Sequence, residues 1–326
     1  RALCVRDEIG NYIIKWETNP VIKGIAKLYV SDVPDKFDMN HPAASTSIED
    51  GFIRYITSDN IQRKYFRITF NDHSPQDVAA RYTFMDNIQN FRDVGGYKSK
   101  KGRQVRWGKL YRSGNIHNFS EQDSIRLIEA GIKTIIDLRT AYEVKEQPIY
   151  FPNTQIIHIP IPCGNKEEMN QRILENKVRK RDGTLFMEDA YIRFIANNTE
   201  DIGDVFRILL DKKNYPILIS GELGKDRVGL FISLLFSMLD IPQESITQEY
   251  MSSKRYIDPS FMAKTVSALS TDAQETMTVL LSVNESFLNI AYREIENRYG
   301  SFDNYRETGL KISGKNRDRL KDLLLK

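Results

Sequence analysis

The sequence predicts an α/β protein with a mostly parallel central sheet flanked by helices, preceded by a small all-β sandwich. Three observations predict it. Short β-rich runs parted by turn residues fill about the first 73 residues, and strands alternate with helical patterns from about residue 81. A long apolar helix then follows directly on a strand and a glycine-bearing loop near residue 220. The 326 residues fit two domains at ~100–200 residues each. With 40% hydrophobic and 28% charged residues, the chain is neither disordered nor a membrane protein. The longest apolar-rich run, Val228 to Ile241, is broken by Gly229, Ser233, Ser237 and Asp240. It falls short of the ~20 apolar residues of a bilayer span and reads as a buried core helix. Lys+Arg 47 against Asp+Glu 44 leaves a net charge of +3, so bulk charge supports neither a nucleic-acid partner nor a membrane surface.

In the first segment, Gly10-Asn11 signals a turn before the run Tyr12 to Glu17. Ile25 to Val30, Phe52 to Thr57 and Tyr65 to Phe70 follow as further strands, separated by the turn-rich stretches Ser31 to Asp35 and Asp38 to Ser47. Trp16 early, with Tyr29 and Tyr65-Phe66 later, gives residues 1–73 a pattern that resembles fibronectin type III modules, each aromatic being read as core packing. Asn71 to Ala80 is polar and contains Ser74-Pro75, so residues 74–80 are expected to be an interdomain linker, with the second domain spanning 81–326.

From residue 81 the apolar runs Lys133 to Leu138, Gln155 to Ile161 and Pro216 to Ser220 read as strands. Ser120 is a good N-cap for a helix carrying Ile125, Leu127 and Ile128 and stopping at Gly131. Asp189 to Ala196 and Asp201 to Asp211 read as two more helices. After Asp240 only helical patterns remain: Gln243 to Ser252, Asp272 to Leu281, Glu285 to Tyr299, and Arg317 to Leu325 with Leu320, Leu323 and Leu324 at helical spacing. They form a helical cap on the sheet.

Two cysteines, Cys4 and Cys163, cannot build a disulfide framework or a four-thiolate zinc site. His41, His73, His117 and His158 lack the i, i+4 spacing of a helix-borne metal pair. The informative segment is Pro216 to Leu230, PILISGELGKDRVGL. A strand, a short loop with two glycines and a helix N-terminus make an anion cradle: loop amides converge, the helix dipole adds positive potential, and the Arg227 guanidinium grips two oxygens. Lys225 adds charge nearby. On geometry alone an ordinary βα turn is an equal reading.

The spelling separates the two. Gly224-Lys225-Asp226-Arg227-Val228-Gly229 resembles the phosphate loop of the atypical bacterial tyrosine/serine and phosphoinositide phosphatases, which reads HCxxGKDRxG. Asn90 to Tyr97 is similar to that family's NFRDxGGY element, Gly108 to Gly114 to its GxLYRSG segment, and Asp137-Leu138-Arg139 with Glu143 to its DLR-x-x-x-E element. The four blocks stand in order over roughly residues 81 to 250 and leave residues 1–73 uncovered. The resemblance implies a cysteine-phosphatase-like fold and a phosphoric monoester hydrolase that acts in dephosphorylation without metal or cofactor. Arg227 would bind the phosphoryl oxygens, the backbone of Glu222, Leu223, Gly224, Lys225, Asp226 and Arg227 would complete the cradle, and Asp226 would stand where some members place a proton donor. The partner would be a phosphorylated protein or a phosphoinositide, with a phosphate or sulfate ion expected in the loop.

One departure carries chemical weight. The nucleophilic cysteine lies six positions before the arginine in the C-x5-R pattern, and that position is Gly221, with Ser220 where the preceding histidine is expected. The reaction needs a thiolate that attacks phosphorus and forms a phosphocysteine. Glycine closes that route, leaving at most the ~10³–10⁴-fold over water that binding and electrostatics give a disabled hydrolase. Gly221 is either natural, making the chain a pseudophosphatase that binds phosphorylated ligands, or a substitution introduced into an active enzyme; natural loss is preferred. A non-catalytic phospho-ligand scaffold is a further reading, as is partner or glycan docking by the sandwich. Cys163 follows a strand in the loop where related phosphatases often carry their acid, and no carboxylate appears there until Glu167. A buried free thiol is its expected state.

Asp137, Arg139, Arg92, Asp93, Arg112 and Ser113 are read mainly as scaffold, with an Arg139–Glu143 ion pair and a positive φ in Gly95-Gly96. The run Lys177 to Arg181 is a solvated basic stretch that would attract an anionic headgroup. His117 and His158 are expected at surface or satisfied core positions. The sandwich ahead of a phosphatase domain and the absence of an initiating methionine suggest export to periplasm or cell surface, with a cytoplasmic location otherwise.

Overall fold

A computed structural model describes residues 2–7, 9–59 and 61–326. Seven strands open the chain: β1 (Ala2–Arg6), β2 (Tyr12–Trp16), β3 (Ile25–Ser31), β4 (Ala44–Ser47), β5 (Phe52–Tyr55), β6 (Tyr65–Phe70) and β7 (His73–Ala79). They form an antiparallel sheet β1-β2-β5 and a second antiparallel sheet β4-β3-β6-β7. Alternation in β2 buries Tyr12, Ile14 and Trp16 against Ile53 of β5 and against Ala26, Leu28, Phe66, Ile68 and Phe70 of the facing sheet. The Trp16 indole donates to the Ile48 carbonyl at 2.9 Å, so the one polar atom of a core aromatic is satisfied.

The expected linker at 74–80 is instead most of β7. Its residues pair in register with β6 (Tyr65 with Ala79, Phe66 with Val78, Arg67 with Asp77), and Val78, Ala79 and Ala80 are buried. An edge strand that exposes His73, Ser74 and Pro75 and half-buries Gln76 has the composition of a linker, and its buried part is too short to show alternation. The chain therefore enters the second unit directly: Tyr82 bridges to Arg92 three residues after β7 ends. β1 and β4 also escape a sequence reading, being short strands of mostly part-buried residues.

Arg63 locks the two units together. Its guanidinium reaches the Asp93 carboxylate at 2.7 Å, the Tyr111 hydroxyl at 3.3 Å and the Ala80 carbonyl at 2.8 Å. Asp93 also accepts from the amides of Gly95 and Gly108, each at 2.7 Å, so a fully buried carboxylate is compensated on all sides. Gly96 has φ +87°, and a Cβ there would lie 2.2 Å from the Trp107 ring.

The second unit is built on a five-stranded sheet in the order β11-β10-β12-β9-β8. Its strands are β8 (Arg92–Asp93), β9 (Leu110–Ser113), β10 (Thr134–Asp137), β11 (Gln155–His158) and β12 (Ile217–Ser220). All run parallel except β8, which pairs antiparallel on the edge of β9. The three expected strands are present in shortened form. β9 lacks an apolar signature because half of its LYRS sequence is polar, yet all four residues are buried. Around the sheet lie α1 (Glu121–Glu129), α2 (Ala141–Glu146), α3 (Lys166–Leu174), α4 (Asp182–Leu209), α5 (Arg227–Met238) and α6 (Gln243–Met251). Period-2 alternation divides the core. Leu110, Ile136, Ile217 and Ile219 join a large core with α4 and α5, whereas Tyr111, Ile135 and Leu218 join a smaller one with Leu127 of α1.

Ser120 caps α1 in a capping box with Asp123. The two helices expected over 189–196 and 201–211 are one helix, α4, with non-helical backbone angles only at Asn198, whose side chain bonds Asp201 at 3.0 Å. The later helices Thr271–Leu281, Glu285–Tyr299 and Gly314–Leu324 fall within three residues of expectation. No helix among the described residues is long and apolar enough to cross a membrane.

Replacing Arg63 by alanine leaves Asp93 buried without its countercharge. The expected loss is about 3 kcal/mol of unfolding free energy, read by urea denaturation, with the sandwich transition separating from that of the α/β unit.

Candidate functional site

The loop between β12 and α5 is held from behind. The Asn115 amide donates to the Glu222 carbonyl at 2.8 Å, the Asn90 side-chain amide to the Leu223 carbonyl at 3.0 Å, and the Arg112 guanidinium to the Gly224 carbonyl. In a trans peptide the N–H of the next residue points opposite to the carbonyl. Pinning these three carbonyls therefore turns the amides of Leu223, Gly224 and Lys225 to the other side. Among the described residues, none of the amides of Glu222 to Asp226 donates a hydrogen bond within the protein. Gly224 sits at φ +66°, and a Cβ there would be 2.2 Å from the Ser113 carbonyl oxygen, so the turn needs glycine. Ser220 and Ser113 are buried behind the loop, both hydroxyls donating to the Gly114 carbonyl at 2.8 Å.

Arg112 is positioned by a buried triad. Glu249 of α6 takes Arg112 Nη1 at 2.7 Å on one oxygen and Arg92 Nε at 3.0 Å on the other. Burial alone would raise the Glu249 carboxyl, but Arg112 and Arg92 hold it below its ordinary value. Burial, and then the like charge of Arg112, brings Arg92 down to about 10. Ser253 Oγ accepts from both arginines and from Asn90, so α6 and the turn after it support the loop from below.

Arg227 opens α5 and is 5% exposed. Its Nη1 and Nη2 each lie 2.7 Å from a different oxygen of Glu143, and Nη1 also donates to the carbonyls of Leu138 and Ile161 at 3.2 Å. This orients the guanidinium plane, and Nε has no acceptor among the described residues. Burial pushes the Glu143 carboxyl up, yet Arg227 and then Lys166 bring it to about 2. Asp226 accepts both contacts of the Lys225 ammonium, at 2.7 and 2.9 Å, and the Tyr191 hydroxyl at 3.0 Å; Tyr191 in turn meets the Tyr250 hydroxyl at 2.6 Å. Of the loop residues, Glu222 lines a cavity of about 720 Å³ whose other walls are α2, the 162–167 turn, α3 and Asn197-Asn198 of α4.

A Cβ built on Gly221 would meet Val228 Cγ2 at 3.2 Å and Gly224 N at 3.9 Å. The backbone there is not left-handed, so its φ admits a side chain.

A tyrosine phosphatase family model matches residues 84–326. The chain belongs to the tyrosine phosphatase family. It is 30% identical over 233 residues to a candidate tyrosine-protein phosphatase of Cupriavidus necator, covering 70% of this chain and 83% of that one. To the triple specificity protein phosphatase PtpB of Mycobacterium tuberculosis it is 24% identical, covering 71% and 95%. Among solved structures it is similar to TpbA of P. aeruginosa at 13% identity, with 58% of this chain and 89% of that chain covered and a TM-score of 0.30. All of the matched family region lies beyond the sandwich.

The expected Arg139–Glu143 pair in this phosphatase domain does not form. Arg139 closes on Asp137, Nη2 at 2.8 Å and Nε at 2.9 Å, and donates to the Gln147 carbonyl, while Glu143 in the first turn of α2 faces the loop and takes Arg227. His158 sits at an exposed position, as expected, with its ring on the Arg139 carbonyl. Cys163 is buried on the cavity wall, and burial pushes its thiol up, away from the thiolate that phosphoryl attack needs. The basic run 177–181 does not line the cavity, and Lys177 is paired with Glu175 at 2.6 Å. Sequence reasoning missed Asn90, Asn115, Lys166, Tyr191, Glu249 and Tyr250 as parts of the site. Glu249 had one usable signal: a carboxylate at a buried position of a cap helix implies a buried cation opposite.

Glu249→Ala leaves two guanidiniums buried face to face, and the expected loss is about 3–5 kcal/mol, measured by chemical denaturation. Because the Glu143 carboxyl falls from 4.5 to about 2 on folding, its contribution is full above pH 4.5 and is lost as the pH drops through about 2. The stability gap between wild type and Glu143→Gln should therefore narrow over that acid interval in pH-dependent melting.

Proposed function

We propose that Gly221 to Arg227 is a phosphate-monoester cradle and that this phosphatase-family chain binds phosphorylated ligands without forming a phosphocysteine. The observation that supports it most is the set of five unpartnered loop amides, those of Leu223, Gly224 and Lys225 turned away from the pinned carbonyls, together with an oriented Arg227 whose Nε has no acceptor among the described residues. A phosphoryl group placed there meets amide donors, the N-terminal dipole of α5 and one guanidinium. In this reading Gly221 is the nucleophile position without its sulfur, and Asp226 is the acid beside the leaving group. The activity of the parent chemistry is phosphoric monoester hydrolysis, on a phosphorylated protein or a phosphoinositide. The seven-strand arrangement supports a fibronectin type III-like reading of the sandwich, extended through β7 to residue 79.

The room at Gly221 favours a second reading, an active enzyme whose cysteine has been substituted. A Cβ there asks only that a Val228 methyl yield by a few tenths of an ångström.

Inorganic phosphate or vanadate should raise the melting temperature of the chain, and Arg227→Ala should remove that shift. Absence of any shift in the unaltered chain sinks the cradle. Gly221→Cys should hydrolyse an aryl phosphate, and adding Asp226→Asn to that variant should slow turnover by about 10²–10⁴, measured at saturating substrate.

A further inference from the structure

Six ionisable side chains crowd the cradle, and their formal charges cancel: Arg227, Lys225 and Lys166 against Glu143, Asp226 and Glu222. Two of the three pairs are fixed. Glu143 holds Arg227 through both carboxylate oxygens, and Asp226 holds a buried Lys225 through both of its own. The third pair is different. Lys166, the first residue of α3, places its ammonium on Glu222, and both side chains are partly solvent-exposed, Glu222 at 48% and Lys166 at 32%. Glu222 Oε2 also lies 3.9 Å from Arg227 Nη2, and Lys166 Nζ lies 3.7 Å from Glu143 Oε1. One carboxylate thus stands against Lys166, which lines the cavity with it, and 3.9 Å from Arg227.

Building on the cradle reading, we propose that Lys166 is a phosphate-binding residue supplied from outside the loop, and that Glu222 is an internal carboxylate that competes with the phosphoryl group for it. A phosphate dianion entering the loop adds two negative charges to a set that sums to zero. The neutral set offers it only amides and the helix dipole beyond Arg227. Swinging the Glu222 side chain into solvent changes the sum to +1 and frees the Lys166 ammonium for a phosphoryl oxygen. The Glu222 carbonyl stays pinned by Asn115, so this motion turns side-chain torsions and leaves the amide nest in place. Lys225 is unsuited to the same role, because it is 2% exposed and would have to abandon Asp226 inside the protein. Glu222 then acts as a charge filter: a dianionic monoester displaces it, and a singly charged phosphodiester displaces it less well.

The test is phosphate affinity, by calorimetric titration at constant ionic strength, for wild type, Glu222→Gln and Lys166→Gln. Glu222→Gln should bind phosphate about two- to fivefold tighter, the scale of breaking one partly exposed ion pair. Lys166→Gln should bind about tenfold weaker, the scale of one charge-assisted hydrogen bond, and Lys166→Arg should recover most of that loss. Melting curves without phosphate check that each variant is folded. If wild type binds and Glu222→Gln is no tighter, or Lys166→Gln no weaker, the competition does not exist. If neither wild type nor Glu222→Gln binds phosphate, the cradle reading itself falls.

Discussion

Like-facing amides repel one another, and a chain turns them the same way only when their carbonyls are held elsewhere. Here the anchors are the Asn115 amide, the Asn90 side chain and Arg112, and the whole site depends on them. Each comes from a segment that is itself buried and paired. Arg112 sits in β9 beside β12 and is aimed by Glu249, which also takes Arg92 from β8. Three long-range elements therefore meet at one carboxylate, and the loop inherits its shape from them. Preorganisation of this kind lets a site meet an anion without rearranging, because the desolvation and ordering have been met during folding.

The side chains in front of the nest follow a second rule. A guanidinium can serve the proposed cradle only if its plane is fixed, and Glu143 fixes Arg227 through Nη1 and Nη2 while Nε has no acceptor among the described residues. The same carboxylate closes the capping box of α2 by accepting from the Thr140 amide at 2.7 Å, so a single residue ends one element and aims another. Lys225, Asp226 and Tyr191 form a comparable relay on the opposite side, continued by Tyr250 from α6. Both shells draw on α6, the helix that follows α5 in the chain.

The parts of this architecture that rest on local pattern were legible. The strand–loop–helix around Gly221 to Arg227, the Ser120 cap and the cap helices each carry their signal within a dozen residues. What was not legible depends on pairing at a distance. β9 looks polar because Arg112 and Ser113 find their partners inside the fold, β7 looks like a linker because its exposed part is polar, and the kinked α4 looks like two helices because Asn197-Asn198-Thr199 interrupts its apolar stripe. Glu143 was drawn toward the nearer Arg139, four residues away. The nearest cation in sequence lost to Arg227 because Asp137, two residues from Arg139 at the strand end, takes that guanidinium first. The Lys166–Glu222 contact joins two turns 56 residues apart and has no signature in either.

β7 runs into the second unit with almost no free chain, and Arg63 bolts the sandwich to Asp93 beside it. A hinged module would let the cavity sweep a wide arc around the sandwich. This joint gives a fixed bearing instead, so the sandwich and the cavity keep one separation and one relative orientation.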